Sequence, residues 1–119
     1  MTVNKRKIGA QHEQKAGAYL EEKGYEILEF NYRCRQGEID IIAKDGEYLV
    51  FCEVKYRSGL GAGYPAEAVD YKKQRTISRC ALFYLTKQKL LDAPCRFDVI
   101  SMSGNQIEHI ENAFDYIGG

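Results

Sequence analysis

The sequence predicts an α/β fold in which helices flank a central mixed β-sheet, with the element order α-β-β-β-α-β-β. Apolar residues recur at helical spacing in two segments, one near the start of the chain and one in its middle. Five short apolar runs, bounded by turn residues, have the length and composition of strands. Because helices and groups of strands follow one another along the chain, a layered arrangement around one sheet is expected.

Length and composition are typical of one globular domain. The chain has 119 residues, of which 45% are apolar and 29% are charged, which is sufficient for a real core. Residues 1–7 hold a basic cluster with no apolar stretch behind it, so we expect a flexible basic N-terminus followed by a single domain over 8–119. No segment approaches the roughly 20 apolar residues of a membrane span, so no membrane partner and a cytoplasmic location are expected. The 4 cysteines lack C-x-x-C spacing and are expected to be reduced, without zinc.

The charges are distributed unevenly along the chain. The formal net charge is zero, but residues 55–89 are rich in Lys and Arg, whereas the chain from Asp98 onward has acids and no Lys or Arg. A basic face is able to bind a polyanion even when the total charge is neutral. The neutral total argues against tight, indiscriminate binding.

The first helix is predicted over residues 10–23 and ends at Gly24, the residue type favoured after a helix C-terminus. Glu13 is predicted to share the apolar face of this helix with Ala16, Gly17 and Leu20. Either Glu13 has a function on that face, or it occupies the first turn, where an acid suits the helix dipole. A strand is predicted next, over residues 25–33.

Two further strands, residues 37–43 and 48–55, are predicted to form a hairpin through Asp45-Gly46, a strong two-residue turn signal. This turn places Glu38 opposite Glu53 and Asp40 opposite Phe51. Asp40 is then diagonal to Glu53, about 7–8 Å away between backbones, with room for an ion between the carboxylates. The period of two residues along a strand places these side chains on one face: Glu38, Asp40, Ile42, Leu49, Phe51, Glu53 and Lys55.

A second helix is predicted over residues 66–89, with a break near Asp70-Tyr71, after a glycine-rich connector over 57–65. One side of this helix is basic (Lys72, Arg75 and Arg79), and the other is apolar (Ile77, Ala81, Tyr84 and Leu85). Gln74 falls among the inward-facing group, which is unusual for an amide. The basic side is either a nucleic-acid contact or an ordinary solvated face. Strands over 96–103 and near 107–110 complete the fold.

Asp40, Glu53 and Lys55, together with Glu13 from the helix, form an oxygen-rich group with one ammonium. Hard cations such as Mg²⁺ or Mn²⁺ take carboxylate and water ligands and bind phosphate oxygens at the same time. Such an ion would activate a water and stabilise charge on a phosphodiester. Lys55 would orient or deprotonate that water, or neutralise the phosphate, and the sequence leaves these alternatives open.

An Asp on one strand, followed by acid-x-Lys on the next, matches the PD-(D/E)xK nuclease signature. Over residues 8–114 the chain resembles the bacterial YraN family of the restriction-endonuclease-like superfamily and, more distantly, archaeal Holliday-junction resolvases. The matching segments are Glu13 with Ala16 and Tyr19-Leu20, Arg33 with Arg35-Gln36-Gly37-Glu38-Ile39-Asp40, Glu53-Val54-Lys55 with Arg57, Pro65 with Glu67-Ala68-Val69, Lys73-Gln74-Arg75, and Pro94-Cys95-Arg96-Phe97-Asp98-Val99.

The resemblance implies a restriction-endonuclease-like fold and a function for each site residue. Glu13, Asp40 and Glu53 would be metal ligands, Lys55 the catalytic lysine, and Gln74 a helix glutamine near the site. The signature does not itself require Glu38, which would be an outer ligand or a support. The basic residues themselves, and not the resemblance, predict DNA contacts at Arg57, Lys72, Arg75 and Arg79. Tyr56 and Tyr64 are the best-placed candidates to stack on bases, although core and surface packing explains most of the 9 tyrosines.

Three functions remain open from the sequence. The first is a Mg²⁺- or Mn²⁺-dependent endonuclease acting on DNA, including branched or structured DNA. The second is a nucleic-acid-binding module on a nuclease-like fold with little or no catalysis. The third is a structural domain in which Glu53 and Lys55 form ordinary strand salt bridges. A homodimer would suit a resolvase-like enzyme, because cutting two strands requires two active sites.

Overall fold

The computed structural model of the chain describes residues 5–57 and 69–118 and contains seven elements in that part. Their order is α-β-β-β-α-β-β, which confirms the predicted order. The elements are α1 (Lys5–Glu22), β1 (Glu26–Cys34), β2 (Gly37–Asp45), β3 (Tyr48–Arg57), α2 (Tyr71–Lys87), β4 (Cys95–Ser103) and β5 (Gln106–Phe114). Within the described ranges no helix has the length and apolar character needed to cross a membrane.

The five strands form one sheet in the spatial order β1-β2-β3-β4-β5. β3 and β4 are parallel, and the other neighbouring strands are antiparallel, so the sheet is mixed as predicted. The parallel pair arises because the chain from β3 crosses the sheet through α2 before it enters β4. β3 therefore lies in the middle of the sheet, between the β1-β2 pair and the β4-β5 pair.

Each face of the sheet is covered by one helix. α1 contributes Ala16 and Leu20 to a buried cluster that we call the α1 core; its strand members are Ile41, Ala43, Val50, Cys52, Ile100 and Met102. α2 contributes to a second cluster, the α2 core, which contains Ile77, Cys80, Ala81 and Tyr84 together with Ile39, Ile42, Leu49, Phe51, Phe97 and Val99. β2 and β3 contribute residues to both cores, so both faces of these two strands are buried.

The bounds of the helices differ from the predicted ones. α1 starts at Lys5 rather than residue 10, so part of the segment predicted as a flexible N-terminus is helical. α2 starts at Tyr71 because Asp70 caps it: the backbone N–H of Lys73 donates to Asp70 Oδ1 at 2.8 Å. This cap explains the break predicted at Asp70-Tyr71. The glycine-rich connector predicted over 57–65 and the start of the helix predicted at 66 lie outside the described residues, apart from the backbone of Arg57.

The predicted register of the β2–β3 hairpin is wrong by one residue on each strand. Asp45 pairs with Tyr48, so the turn residues are Gly46 and Glu47, and Gly46 adopts a positive φ of 60°. Asp45 belongs to the strand because Arg96 Nη1 donates to its Oδ2 at 3.1 Å. Glu38 is therefore not opposite Glu53. Between the turn and the pair of Ile41 with Cys52 the faces alternate as predicted, and the common face of Ile42, Leu49 and Phe51 is confirmed within the α2 core.

Candidate metal and nucleic-acid site

The site begins at an irregularity in β2. Ile39 belongs to the α2 core and Ile41 to the α1 core, although residues two apart on a regular strand share a face. The strand therefore changes face at Asp40, the residue between them. This change separates the side chains of β2 into two groups and places Asp40 at the boundary between the two cores.

The neighbouring strand β1 has the matching irregularity at Asn31. Phe30 packs against the α1 core and Tyr32 against the α2 core, and Asn31 between them has a φ of 53°. This is the left-handed region, which Asn tolerates better than most residues with a side chain. The side chain of Asn31 hydrogen-bonds the carboxyl group of Glu13, so the irregularity also positions α1's acid.

The pairing of β2 with β3 starts at Ile41 and Cys52, although both strands extend beyond that pair. In place of a backbone carbonyl, Asp40 Oδ2 accepts a hydrogen bond of 2.8 Å from the backbone N–H of Val54. The carboxylate of Asp40 is therefore fixed by the end of the ladder. We call the part of β2 and β3 beyond the pair of Ile41 with Cys52, where the ladder has ended, the opening.

Three carboxylates from two elements meet at this opening. Glu13 on α1 and Glu38 and Asp40 on β2 each offer an oxygen, and these atoms lie within 4.8 Å of one another. Glu38 also contacts Arg33, with 3.4 Å between its Oε2 and Nε of the arginine. The residue predicted as an outer ligand or support is thus part of the closest group of acids. Glu53 adjoins this group through a side-chain hydrogen bond with Asp40.

Burial raises the pKa values of Glu13, Asp40 and Glu53. The pKa of Glu13 rises from 4.5 to about 7 because of burial and then the charge of Asp40, against a lowering hydrogen bond from Asn31. The pKa of Glu53 also rises to about 7, again through burial and then the charge of Asp40. The pKa of Asp40 is raised by burial, although the N–H of Val54 partly opposes the change. Near neutral pH the site therefore retains protons that a cation would replace.

Glu53 is the most buried of these acids, with a relative exposure of 5%. Its Oε1 lies 3.4 Å from Nζ of Lys55 and 3.8 Å from Nζ of Lys73. Its Oε2 is buried and has no hydrogen-bond partner among the described residues. A buried carboxylate oxygen without a donor requires a proton or a cation. The donor set, carboxylate oxygens from α1, β2 and β3, has the chemistry that Mg²⁺ or Mn²⁺ prefers.

Two neighbouring residues of α2 have different partners. Gln74 Nε2 donates to the backbone carbonyl of Val69 at 2.9 Å, and its predicted position near the site stays a prediction. Lys73 contacts Glu53, and sequence reasoning did not identify this contact. A signal for it exists in the helical spacing, because Lys73 precedes the buried residue Ile77 by four positions.

The predicted DNA contacts on α2 lie on an accessible part of the helix. Lys72 and Arg79 are exposed, and Arg75 is half-buried and engaged in an interaction of its own. The side chain of Arg57 lies outside the part of the chain that the structure describes. Arg79 also borders a surface depression lined by Gln36, Leu82, Phe83 and Thr86.

A pair of stacked rings lies next to the site residues in sequence. The rings of His12 and Tyr56 have centroids 4.0 Å apart and planes inclined by 11°. They adjoin Glu13 on α1 and Lys55 on β3, and Tyr56 is 47% exposed. Sequence reasoning identified Tyr56 as a stacking candidate but did not identify His12 as its neighbour. Tyr64 lies outside the described residues.

A second charged network, which sequence reasoning also missed, joins β4 to β5. Asp98 is fully buried; Arg96 donates to it from Nε at 2.9 Å and from Nη2 at 3.0 Å. His109 Nε2 lies 2.7 Å from Asp98 Oδ2, and the backbone N–H of Asn112 donates to Oδ1 at 2.9 Å. Burial alone would raise the pKa of Asp98, but these hydrogen bonds outweigh burial and lower it. The network is fully paired, unlike the site at Glu53.

The comparisons with known proteins agree on one family. The model of the uncharacterised protein family UPF0102 matches residues 12–102. A UPF0102 protein of Lachnoclostridium phytofermentans is 50% identical over 117 residues, which cover 98% of this chain and 99% of that protein. A UPF0102 protein of Geobacter metallireducens is 52% identical over 119 residues, which cover 97% and 98% of the two chains. The chain therefore belongs to the UPF0102 family, the YraN family that its motifs resemble.

Proposed function

We propose that the protein is a metal-dependent endonuclease that hydrolyses phosphodiester bonds in DNA. The observation that carries this proposal is the buried Oε2 of Glu53, which has no hydrogen-bond partner among the described residues. The pKa of Glu53 is raised to about 7 by burial and then by the charge of Asp40, and its other oxygen lies beside two lysines. A site for a cation that binds phosphate accounts for both the acids and the lysines.

Asp40 and Glu53 would hold the ion, with Glu13 or Glu38 completing the set. When bound, Mg²⁺ or Mn²⁺ supplies a water of lowered pKa and stabilises negative charge on the phosphate. Asp40 is held ready for this role by the N–H of Val54, so its carboxylate needs little reorganisation. The protons now shared among the acids would leave on metal binding.

Lys55 and Lys73 both supply positive charge beside Oε1 of Glu53. Each is about one-third exposed, at 35% and 38%, so each is accessible to a phosphate group. Lys55 matches the lysine of the nuclease signature and would orient the attacking water or neutralise the phosphate. Lys73 would contribute a second cation to the phosphate, which the signature does not require.

DNA would bind along α2, the helix that carries Lys73, where Lys72 and Arg79 are exposed. Contacts of this kind fix the backbone of the nucleic acid without reading its sequence. The His12–Tyr56 stack offers a ring face to an unpaired base, which suits branched or structured DNA better than a regular duplex. The resemblance to resolvases supports the same class of substrate and a homodimeric enzyme.

Cleavage of branched and linear DNA with Mg²⁺ or Mn²⁺ tests the proposal. We expect Asp40→Asn, Glu53→Gln and Lys55→Ala each to lower the rate by about 100-fold or more. The exposed residues Glu47 and Lys44 provide matched controls, as Glu47→Gln and Lys44→Ala, and these should cut at the wild-type rate. The same residual activity in the wild type and in all three site variants would show that the activity is not the protein's own.

The second candidate is a binding module without catalysis. It is favoured by the salt bridge between Lys55 and Glu53, because a lysine paired with an acid of the protein is less available to a water or a phosphate. Binding of DNA that persists with chelator and in Asp40→Asn, without cleavage under any metal, would select this function. In either case we expect Lys72→Ala and Arg79→Ala to lower the salt dependence of binding by about one ion each.

A further inference from the structure

We propose that Cys34 and Cys80 form a reversible disulfide and are a redox modification site that ties α2 to the end of β1. The two sulfur atoms lie 2.9 Å apart, although the residues are 46 positions apart in the chain. Cys34 is the last residue of β1, and Cys80 lies in the middle of α2. This inference does not depend on the proposed nuclease activity.

Little movement separates the two thiols from a covalent bond. A disulfide has a sulfur–sulfur distance of about 2.05 Å, so the atoms need to approach by less than about 1 Å. The segments that carry them are already in close contact. A Cβ added at Gly37, in the strand that follows Cys34, would lie 2.4 Å from Cγ2 of Thr76 on α2. The bond would therefore form between elements whose packing is already fixed.

The two thiols differ in accessibility, which suggests the order of the reaction. Cys34 is half-buried and also contacts Gln36 Oε1 at 3.2 Å, whereas Cys80 is buried in the α2 core. Burial raises the pKa of Cys80 to about 12, and the neighbouring Cys34 adds to this effect. Cys34 is consequently the thiol that meets an oxidant first.

The reaction with a peroxide is balanced. The thiolate of Cys34 attacks one oxygen of hydrogen peroxide, the O–O bond breaks, and a sulfenic acid and one water are formed after protonation. The sulfur of Cys80 then attacks the sulfur of Cys34, the S–O bond breaks, and the Cys80 proton leaves with the oxygen as a second water. Two thiols and one peroxide give one disulfide and two waters. A small-molecule thiol restores both cysteines by exchange.

The bond would act on the element that carries Lys73. Cys80 follows Lys73 by seven positions, two helical turns, and so lies on the same side of α2. Cys34 is close in sequence to Glu38, which belongs to the group of acids. Oxidation would thus fix the distance between the helix that contacts Glu53 and the strands that carry the acids.

The test uses the full chain. The protein is first reduced, the small-molecule reductant is then removed, and hydrogen peroxide is added under native conditions. Peptide mapping without reduction should recover Cys34 joined to Cys80 with the loss of two hydrogens, and dithiothreitol should reverse it. The bond should raise Tm by about 5 °C or more in the wild type and in Cys95→Ser, but not in Cys34→Ser. Cys95 is a suitable control because its thiol instead contacts the carbonyl of Ala93 at 3.3 Å.

Three results would overturn the proposal. Both cysteines could remain open to alkylation after treatment, Cys34 could be recovered only as a sulfinic acid, or the recovered disulfide could join different chains or other cysteines. Cys80→Ser is not needed for the decision, because the wild-type peptide map decides the pairing without a substitution in the core.

Discussion

At the scale of single residues, Asp40 determines the properties of the site. It accepts the N–H of Val54, and after burial its charge is the next largest cause of the raised pKa values of Glu13 and Glu53. These effects come from one carboxylate placed where β2 changes face. The sequence identified the residue and its probable neighbours in space, but the change of face has no local signal, since no glycine or proline marks it.

Removing the charge of Asp40 should stabilise the metal-free protein. In Asp40→Asn the amide oxygen still accepts from Val54 and the repulsion of Glu53 disappears, so we expect a gain on the order of 1 kcal/mol at pH 8. Thermal unfolding with chelator measures it. Asp92→Asn, at an exposed acid, is the matched control and should have no effect. If Asp40 served only in a structural ion pair, the substitution would lower Tm or leave it unchanged.

Asn31 should resist replacement by a β-branched residue. Its φ of 53° strains any residue with a bulky side chain, so Asn31→Val should cost roughly 1–2 kcal/mol. Asn31→Gly relieves the backbone strain but loses the hydrogen bond to Glu13. Urea unfolding compares these variants with Lys44→Val, at an exposed strand position of ordinary φ. Equal stability of Asn31→Val and the wild type would refute the strained conformation.

At the scale of elements, the sequence predicted those features that depend on residues close together in the chain, such as helix ends and the alternation of side chains along a strand. The cap of Asp70 explains the predicted break before α2, and the alternation of β2 and β3 placed Phe51 and Ile42 on one face. The hairpin register failed because Asp45 is held by Arg96, 51 positions away, a contact that no turn propensity contains. Lys73 was missed for a related reason: its partner Glu53 is on another element.

The buried network of β4 and β5 should be essential for stability. Asp98→Asn would remove the fully buried carboxylate that accepts two hydrogen bonds from Arg96, and Arg96 would keep only the more exposed Asp45 as an acid partner among the described residues. We expect a loss of about 3–5 kcal/mol. Asp115→Asn, at an exposed acid, is the control and should change little. The free energy of unfolding in urea measures both. A loss below about 1 kcal/mol for Asp98→Asn would show that the network contributes little.

At the scale of the whole molecule, the two charged groups act in different ranges of pH. Glu13 and Glu53 keep protons that they would lose in the unfolded chain, because burial raises their pKa values, whereas the pKa of Asp98 is lowered by its hydrogen bonds. The first group destabilises the fold at high pH, and the second destabilises it at low pH. The order of elements and the mixed sheet could be predicted from the sequence, but the pairing of Asp98 with Arg96 and His109 could not, because His109 lies on another strand.

Stability of the metal-free protein should therefore fall between about pH 5 and pH 8. The folded pKa of Glu13 and Glu53 is about 7 against an ordinary 4.5, so the folded state binds more protons over that range, and stability decreases as pH rises. The contribution of Asp98 is present above its ordinary pKa of 3.8 and is lost only as pH falls below that value. Thermal unfolding of the wild type and Glu53→Gln separates the effects. The difference obtained by subtracting the Tm of the wild type from the Tm of the variant should increase from pH 5 to pH 8. A constant difference would contradict the raised pKa of Glu53.

The most direct measurement of the central claim is a crystal structure of the protein soaked with Mn²⁺. The account predicts an anomalous peak between Asp40 and Glu53, near Lys55, with carboxylate oxygens about 2.0–2.2 Å from the ion. Oε2 of Glu53 would be one of those oxygens. A soak that occupies other sites on the surface but leaves Asp40 and Glu53 hydrogen-bonded to each other, without a peak between them, would contradict it.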